Sequence, residues 1–262
     1  MVDTKSTNNT ALARFITSLG SLNDYGSSVL QTKKALDTHS TKHLRQNNDD
    51  IAIFKDSLKG IDVIKKTGFS TDGVIAINKQ FDSQSDEQPS MPGHLRNAYY
   101  NEDDRIGIVI DKKSHEYYTP KEIVTRADID EIVEQFNNSP KSERDAWTVF
   151  AELAKLQPFQ DGNKRTALIA ANAALGSLES ENYLVLPFND LDRVDFTVGL
   201  MRYYVASNKD ERIAAFNRMM DVLPSENERL RELSKPIEGF DEEAKTIKLK
   251  RQLRQRGSRL DR

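Results

Sequence analysis

The chain has 262 residues, of which 37% are hydrophobic and 30% are charged, and its formal net charge at pH 7 is −3. These values describe a polar, soluble protein with one large domain or a domain with attachments. The slightly negative charge argues against a surface built for nucleic acid. No window approaches the roughly 18 apolar residues of a membrane-spanning helix, and no secretory signal precedes the first helix, so no membrane contact is expected. The absence of cysteine excludes disulfides and is compatible with a cytoplasmic location.

The N-terminal part of the chain carries little structural signal. Residues 1–10 are polar and are expected to be disordered. Weakly helical segments follow to about residue 45, interrupted near Gly20 and Gly26. Residues 1–49 are therefore predicted to form an N-terminal helical extension.

Helical patterns become clear after residue 50. An apolar repeat of three to four residues between Ile51 and Ile64 predicts an amphipathic helix. Thr71 is predicted to cap the next helix, which continues to Phe81. A polar loop is predicted over residues 82–93.

A short β-branched segment then interrupts the helical pattern and predicts a β-hairpin. Its return strand is placed at residues 116–119, before Pro120. A helix with apolar positions from Ile123 to Phe136 is predicted to follow. The forward strand is predicted to include Ile106, Gly107, Ile108, Val109 and Ile110.

The most informative stretch is residues 156–166, Leu-Gln-Pro-Phe-Gln-Asp-Gly-Asn-Lys-Arg-Thr. It separates two helical patterns, and Pro158 predicts that the first helix ends near Leu156. Asp161 is of the residue type that caps a helix and is predicted to begin the second one. The sequence thus predicts helix, tight polar loop and helix.

The start of the second helix suits an anion such as phosphate. A helix N-terminus presents unpaired backbone N–H groups and partial positive charge. Gly162 allows close approach of a ligand to the backbone, and Lys164 and Arg165 add formal charge. Asp161 could share a divalent cation with the phosphates. The alternative from residues alone is a capped helix with an exposed basic turn.

The stretch Pro-Phe-x-Asp-Gly-Asn-Lys-Arg-Thr resembles the signature of Fic-domain (Fido) proteins, including their Doc-like branch. The resemblance extends over about residues 50–206. It includes Gly93-x-x-Arg96 before the hairpin and Asn182-Tyr183 after the signature. It implies a mainly helical Fic fold in which the hairpin, called the flap, aligns a target peptide by strand addition.

The resemblance also implies roles for individual residues. Gly162, Asn163, Lys164 and Arg165 would bind the nucleotide, and Asp161 would hold Mg²⁺ against the phosphates of ATP. Flap residues 106–110 would dock the target. The usual family reaction transfers AMP from ATP to a hydroxyl side chain of a protein.

Two departures from the family pattern bear on activity. Gln157 occupies the position of the catalytic histidine, which acts as the general base, and a glutamine amide cannot remove a proton. Only His94 and His115 lie near enough in sequence to be considered as substitute bases. Lys164 makes the signature similar to the Doc-like branch, in which the γ-phosphate is transferred.

The C-terminal part is predicted to contain helices over residues 190–206 and around Phe216, and residues 207–262 are treated as a C-terminal helical extension. Residues 245–262 carry eight Lys or Arg and one acidic residue. This basic tail is the one segment that is considered as a contact for nucleic acid or an acidic partner.

Ser234 and Glu238-Gly239 match the short pattern of a family inhibitory helix. Ser177 and Glu181-Asn182 match it too, but they are interpreted as structural. If neither inhibits, the resemblance leaves an antitoxin-like partner as the possible source of inhibition.

Three functional hypotheses remain. The first is a nucleotide-binding protein adenylyltransferase impaired by Gln157, acting on a Ser, Thr or Tyr hydroxyl of a protein target. The second is a Doc-like protein phosphotransferase. The third is a non-catalytic module that binds nucleotide or protein.

Overall fold

A computed structural model describes residues 9–23, 25–86, 88–111 and 115–237. Residues 1–8, most of the segment expected to be disordered, lie outside this part of the chain, as do Glu238, Gly239 and the basic tail. Within it the prediction of a mainly helical fold with one β-hairpin is confirmed. The elements are α1 Thr10–Gly20, α2 Val29–Asp37, α3 Asn48–Thr67, α4 Thr71–Lys79, β1 Ile108–Asp111, β2 Glu116–Tyr118, α5 Arg126–Asn137, α6 Glu143–Leu156, α7 Asn163–Leu175, α8 Ser177–Ser180, α9 Asp190–Val205, α10 Lys209–Asp221 and α11 Glu226–Ser234.

Helix α7 lies at the centre of the bundle. Its residues 167–171 are all fully buried, so it is apolar around most of its circumference, as expected of a helix enclosed by others. Helices α3, α4 and α6 pack around it. Trp147 of α6 forms edge contacts with Phe150 and with Phe196 of α9 and is buried in the core.

Two predicted helix boundaries are wrong by a few residues. Ser70, not Thr71, is the N-cap of α4, since its hydroxyl accepts a hydrogen bond from the backbone N–H of Gly73. Ile123 lies outside α5 and forms an isolated antiparallel bridge with Asn97. A capping box at Thr125 starts α5 after that bridge.

The β-hairpin is anchored beside the end of α6. Ile108 is paired with Tyr118 and Val109 with Tyr117 in an antiparallel register. The Tyr118 ring stacks on Tyr204 at 5.3 Å, and its hydroxyl donates to the carbonyl oxygen of Lys155 at 3.0 Å. Strand β1 begins at Ile108, so Ile106 and Gly107 precede the strand that was predicted to include them.

The first and last helices pack onto the central bundle. Phe15 of α1 stacks on Tyr183, with ring centroids 4.7 Å apart. Arg229 of α11 is buried and forms a bidentate ion pair with Glu143 at 2.6 and 2.9 Å. No helix within the described ranges is long and apolar enough to cross a membrane.

Candidate functional site

The junction between α6 and α7 has a more constrained backbone than the sequence suggested. Helix α6 ends at Leu156 as predicted, and Gln157 follows in the left-handed region with φ 50° and ψ 61°. The prediction that Asp161 caps α7 is wrong. Gly162, with φ 74°, is the N-cap, and the Asp161 carboxylate instead accepts from the backbone N–H of Gly162.

Gly162 cannot be replaced without strain. Its positive φ disfavours any residue with a Cβ atom. A Cβ atom at this position would lie 2.5 Å from Cδ2 of Phe81. The close packing of the loop on Phe81 therefore requires glycine here.

The side chain of Gln157 is tied into the loop. It is only 7% exposed, although the resemblance expects a histidine free to act at this position. Its Oε1 accepts from Nδ2 of Asn163 at 3.0 Å, and its Nε2 donates to the carbonyl oxygen of Ala154 at 2.6 Å. Both ends of the amide are therefore already engaged within the protein.

The side chain of Asn163 stabilises the loop through hydrogen bonds to its backbone. Its side chain accepts from the backbone N–H of Phe159 and donates to the carbonyl oxygen of the same residue, both at 2.8 Å. Phe159 is fully buried and anchors the loop in the core. The predicted nucleotide-binding amide is thus also a structural element of the loop.

Arg96 holds the signature loop in place through hydrogen bonds to backbone carbonyl oxygens. Its buried guanidinium donates to three carbonyl oxygens, those of Gln157 at 2.6 Å and of Asp104 and Lys121 at 2.8 Å. Burial lowers the pKa of Arg96, and the nearby Asp104 charge opposes this shift. The resemblance identified Arg96, whereas its three partners come from distant parts of the chain.

A second hydrogen-bond network, which no local sequence pattern indicated, holds the outer side of the loop. Nε2 of Gln160 donates to Oδ1 of Asp104 at 2.8 Å, and Oε1 of Gln160 accepts from the Ser90 hydroxyl at 2.8 Å and the Met91 N–H at 3.0 Å. Nε2 of His94 lies 3.0 Å from Oδ2 of the same carboxylate. Asp104 is fully buried, although its acidic neighbours suggest a surface turn.

The pKa of Asp104 is lowered despite its burial. Burial by itself raises the pKa, but hydrogen bonds from the backbone of Asn97 and from the side chains of Gln160 and His94 outweigh it. The carboxylate is therefore charged at neutral pH. His94 is engaged with this carboxylate. Neither His94 nor His115 lines the cleft between the signature loop and the start of the hairpin.

The signature loop, the first turn of α7 and the start of the hairpin enclose a cleft of about 260 Å³. Asn23, from the connection between α1 and α2, forms part of the opposite wall. Nζ of Lys164 donates to the carbonyl oxygen of Leu22 in that connection at 2.8 Å. The predicted site residues that line the cleft are Ile106, Gly107, Ile108, Gln157, Asp161, Gly162, Asn163 and Lys164.

Three other predicted site residues lie elsewhere. Arg165 is fully buried, and its guanidinium lies over the Phe81 ring at 4.8 Å from the centroid, so it packs inside the bundle instead of facing the cleft. Val109 and Ile110 do not line the cleft, because they lie further along β1. Val109 is exposed, with its strand partner Tyr117 also exposed.

The structure is thus a helical bundle in which a cleft at a loop–helix junction adjoins a β-hairpin. Residues 68–175 match the model of the Fic/DOC family, which confirms the recognition of a Fic domain. The structure is similar to the crystal structure of a Fic domain-containing signaling protein from Bacteroides thetaiotaomicron, with a TM-score of 0.60. The identity is 15%, covering 88% of this chain and 91% of that one, so this similarity concerns the fold. A search of the curated proteins gave no match.

Proposed function

We propose that the protein binds ATP with Mg²⁺ in the cleft and is a protein adenylyltransferase of the Fic type with impaired catalysis. The Fic domain suggests a transferase of the AMPylation type or a related one. The observation that supports impairment is the engagement of both amide atoms of Gln157 inside the loop. The position expected to accept a proton is occupied by a buried, neutral and hydrogen-bonded group.

Phosphate binding is assigned to the start of α7. The helix N-terminus, Gly162 and Asn163 line the cleft, and the helix dipole favours negative charge there. Lys164 adds a cation to the same wall. Arg165 is given a packing role over the Phe81 ring, because its fully buried guanidinium does not line the cleft.

Mg²⁺ is proposed as part of the nucleotide complex and not as a resident ion. The described residues contain no group of three or more His, Cys, Asp or Glu side chains that could hold a metal. Mg²⁺ commonly uses one or two carboxylates together with substrate phosphates and water. The single carboxylate of Asp161 in the cleft fits that arrangement, and the bound ion would neutralise phosphate charge during transfer.

The missing step is the removal of the proton from the target hydroxyl. A glutamine amide has no accessible pKa, and its oxygen already accepts from Asn163. Tyr204 lies beside Gln157, but burial raises the pKa of its hydroxyl, the nearby Tyr118 raises it further, and only the neighbouring Gln157 opposes this. Tyr204 therefore stays protonated at neutral pH and is no substitute base.

The Doc-like phosphotransferase remains the second candidate. The observation in its favour is Lys164, which gives the signature its Gly-Asn-Lys-Arg form and lines the cleft. Transfer of the γ-phosphate would need the nucleotide to lie in the inverted orientation. A non-catalytic nucleotide-binding module is the third, and the engagement of Gln157 favours it over an active enzyme.

Label transfer from radioactive ATP separates the three candidates. Wild-type protein and Gln157→His are incubated with ATP labelled at the α or the γ position, with Asp161→Asn as a control that keeps the fold and removes the metal-binding charge. Protein-bound label from the α position, strong in Gln157→His and weak in wild type, supports the adenylyltransferase. Label from the γ position alone supports the phosphotransferase. No label from either position, in protein that binds Mg·ATP, overturns the proposed transferase and supports the binding module.

A further inference from the structure

Helix α9 has apolar residues on two opposite faces. Its inner face, which includes Phe196, Leu200 and Tyr204, is buried in the bundle. A second set repeats at intervals of three, four, three and four residues on the other side. We call this set the outer stripe, and its members are Leu191, Val194, Val198, Met201 and Val205.

The outer stripe is open to solvent. Leu191 is 82% exposed, Val194 61% and Val205 39%, and the other two members are partly exposed. The alternating spacing of three and four residues is the seam along which one helix packs against another. A contiguous row of exposed aliphatic side chains of this kind is typical of an interaction surface.

Grooves flank the stripe on both sides. One, of about 510 Å³, lies between α9 and the connection from α1 to α2, with Leu22 and Leu186 in its wall. The other, of about 310 Å³, lies between α9 and α10 and is lined partly by Ala214 and Ala215. The side chains of a second helix that lies along the stripe can pack into the two flanking grooves.

The charges along α9 indicate which partner fits. The first turn is acidic, with Asp190 and Asp192, and Arg202 is the basic residue of the last turn. Asp195 and Arg202 are seven residues apart and so lie on the same side of the stripe. In an antiparallel pair of two α9 helices, Asp195 of one copy faces Arg202 of the other, whereas a parallel pair brings the two acidic first turns together.

The apolar positions show the same two-fold relation. The two ends of the stripe are symmetric about Val198, since Leu191 and Val205 lie seven residues before and after it, whereas Val194 and Met201 lie four before and three after it. Antiparallel pairing about Val198 therefore places Leu191 against Val205 of the second copy and opposes the two helix dipoles. Such a self-complementary patch is the requirement for a two-fold symmetric interface.

We propose that the outer stripe of α9 is the contact surface of a homodimer, with the two α9 helices antiparallel and Val198 on the two-fold axis. The stripe covers about 21 Å of helix at 1.5 Å per residue. Stable complexes commonly bury roughly 800 Å² per partner, so the proposed contact has to extend from the stripe into the flanking grooves. Asp195 pairs with Arg218 at 2.8 Å in its own chain, and in the proposed dimer Arg202 of the second copy would share this carboxylate.

Sedimentation of the full chain at increasing concentration tests the dimer. Val198→Asp places two carboxylates against each other on the axis, so its dissociation constant should rise by on the order of 30-fold or more, the effect of a residue at the centre of an interface. Leu230→Asp is the matched control, because Leu230 is 44% exposed but lies on α11. This control should sediment as wild type does.

A cysteine cross-link provides a second measurement that does not depend on a disruptive substitution. The chain has no cysteine, so Val198→Cys introduces the sole thiol, and mild oxidation should yield a covalent dimer. Leu230→Cys should remain uncross-linked under the same conditions. A wild-type chain that stays monomeric at high concentration, a dimer insensitive to Val198→Asp, or equal cross-linking of the two cysteine variants each overturns the proposal. The first of these results would assign the stripe to another partner.

Discussion

Replacing Gln157 with histidine should increase AMP transfer, because it supplies the proton acceptor that the cleft lacks. The backbone at position 157 is left-handed with φ 50°. Histidine is among the residues found there more often than average, so the substitution is compatible with the loop. The hydrogen bonds to Asn163 and Ala154 are the structural interactions at risk.

The substitution affects both the folding stability and the rate of AMP transfer, and the two magnitudes can be estimated separately. Loss of both hydrogen bonds costs about 2 kcal/mol of folding stability at most, at about 1 kcal/mol for each. A general base accelerates transfer by about 10²–10⁴-fold, which corresponds to about 3–5 kcal/mol in the activation barrier. A stability loss of this size leaves a domain of ordinary stability, about 5–15 kcal/mol, folded, so the increase in rate should be observed.

The assay is the initial rate of label transfer from ATP labelled at the α position, measured from pH 5 to 8 in equal amounts of protein that binds ATP. The rate of Gln157→His should increase with pH through about 6.5 as the imidazole loses its proton. Gln157→Asn is the matched control, because it removes the same contacts without adding a base. Equal rates in the histidine and asparagine variants would refute the reasoning.

Three further predictions concern the structure that holds the cleft. Gly162→Ala should lower the free energy of unfolding by about 2–4 kcal/mol, because it combines a left-handed backbone with a clash against Phe81; urea unfolding measures this, and an unchanged midpoint contradicts it. Arg96→Met should cost about 3–5 kcal/mol and is checked the same way, since two buried carbonyl oxygens and one partly buried carbonyl oxygen lose their donor. Because the pKa of Asp104 is lowered by folding, its stabilisation is complete above its unfolded pKa of about 4 and is lost as the pH falls through the lower folded value. Asp104→Asn should therefore flatten the acid side of the stability profile, and an unaltered profile argues against the network.

Local signals predicted the fold well where they were strong. Pro158 fixed the end of α6, and the β-branched run around Ile108 indicated the hairpin. The helical pattern after residue 166 indicated α7, although its burial at the centre of the bundle was not predicted. Each of these features depends on neighbours in sequence, which is why it could be read from the chain.

The parts of the site that escaped prediction depend on distant contacts. The resemblance assigned Arg165 to the nucleotide, and the sequence did not indicate that its buried guanidinium lies over the Phe81 ring. Asp161 has the residue type of a helix cap, yet the left-handed Gly162 takes that position. The partnership of Asp104 with Gln160 joins residues 56 positions apart, and no local pattern encodes it.

The central claim is that the cleft binds Mg·ATP although it lacks a proton acceptor, and calorimetric titration of the wild-type protein with ATP tests it most directly. The account predicts saturable binding of one nucleotide per chain, weakened when Mg²⁺ is omitted and weakened to a similar extent by Asp161→Asn in its presence. Absence of saturable binding at millimolar ATP, or binding that neither Mg²⁺ nor Asp161→Asn changes, would contradict the account.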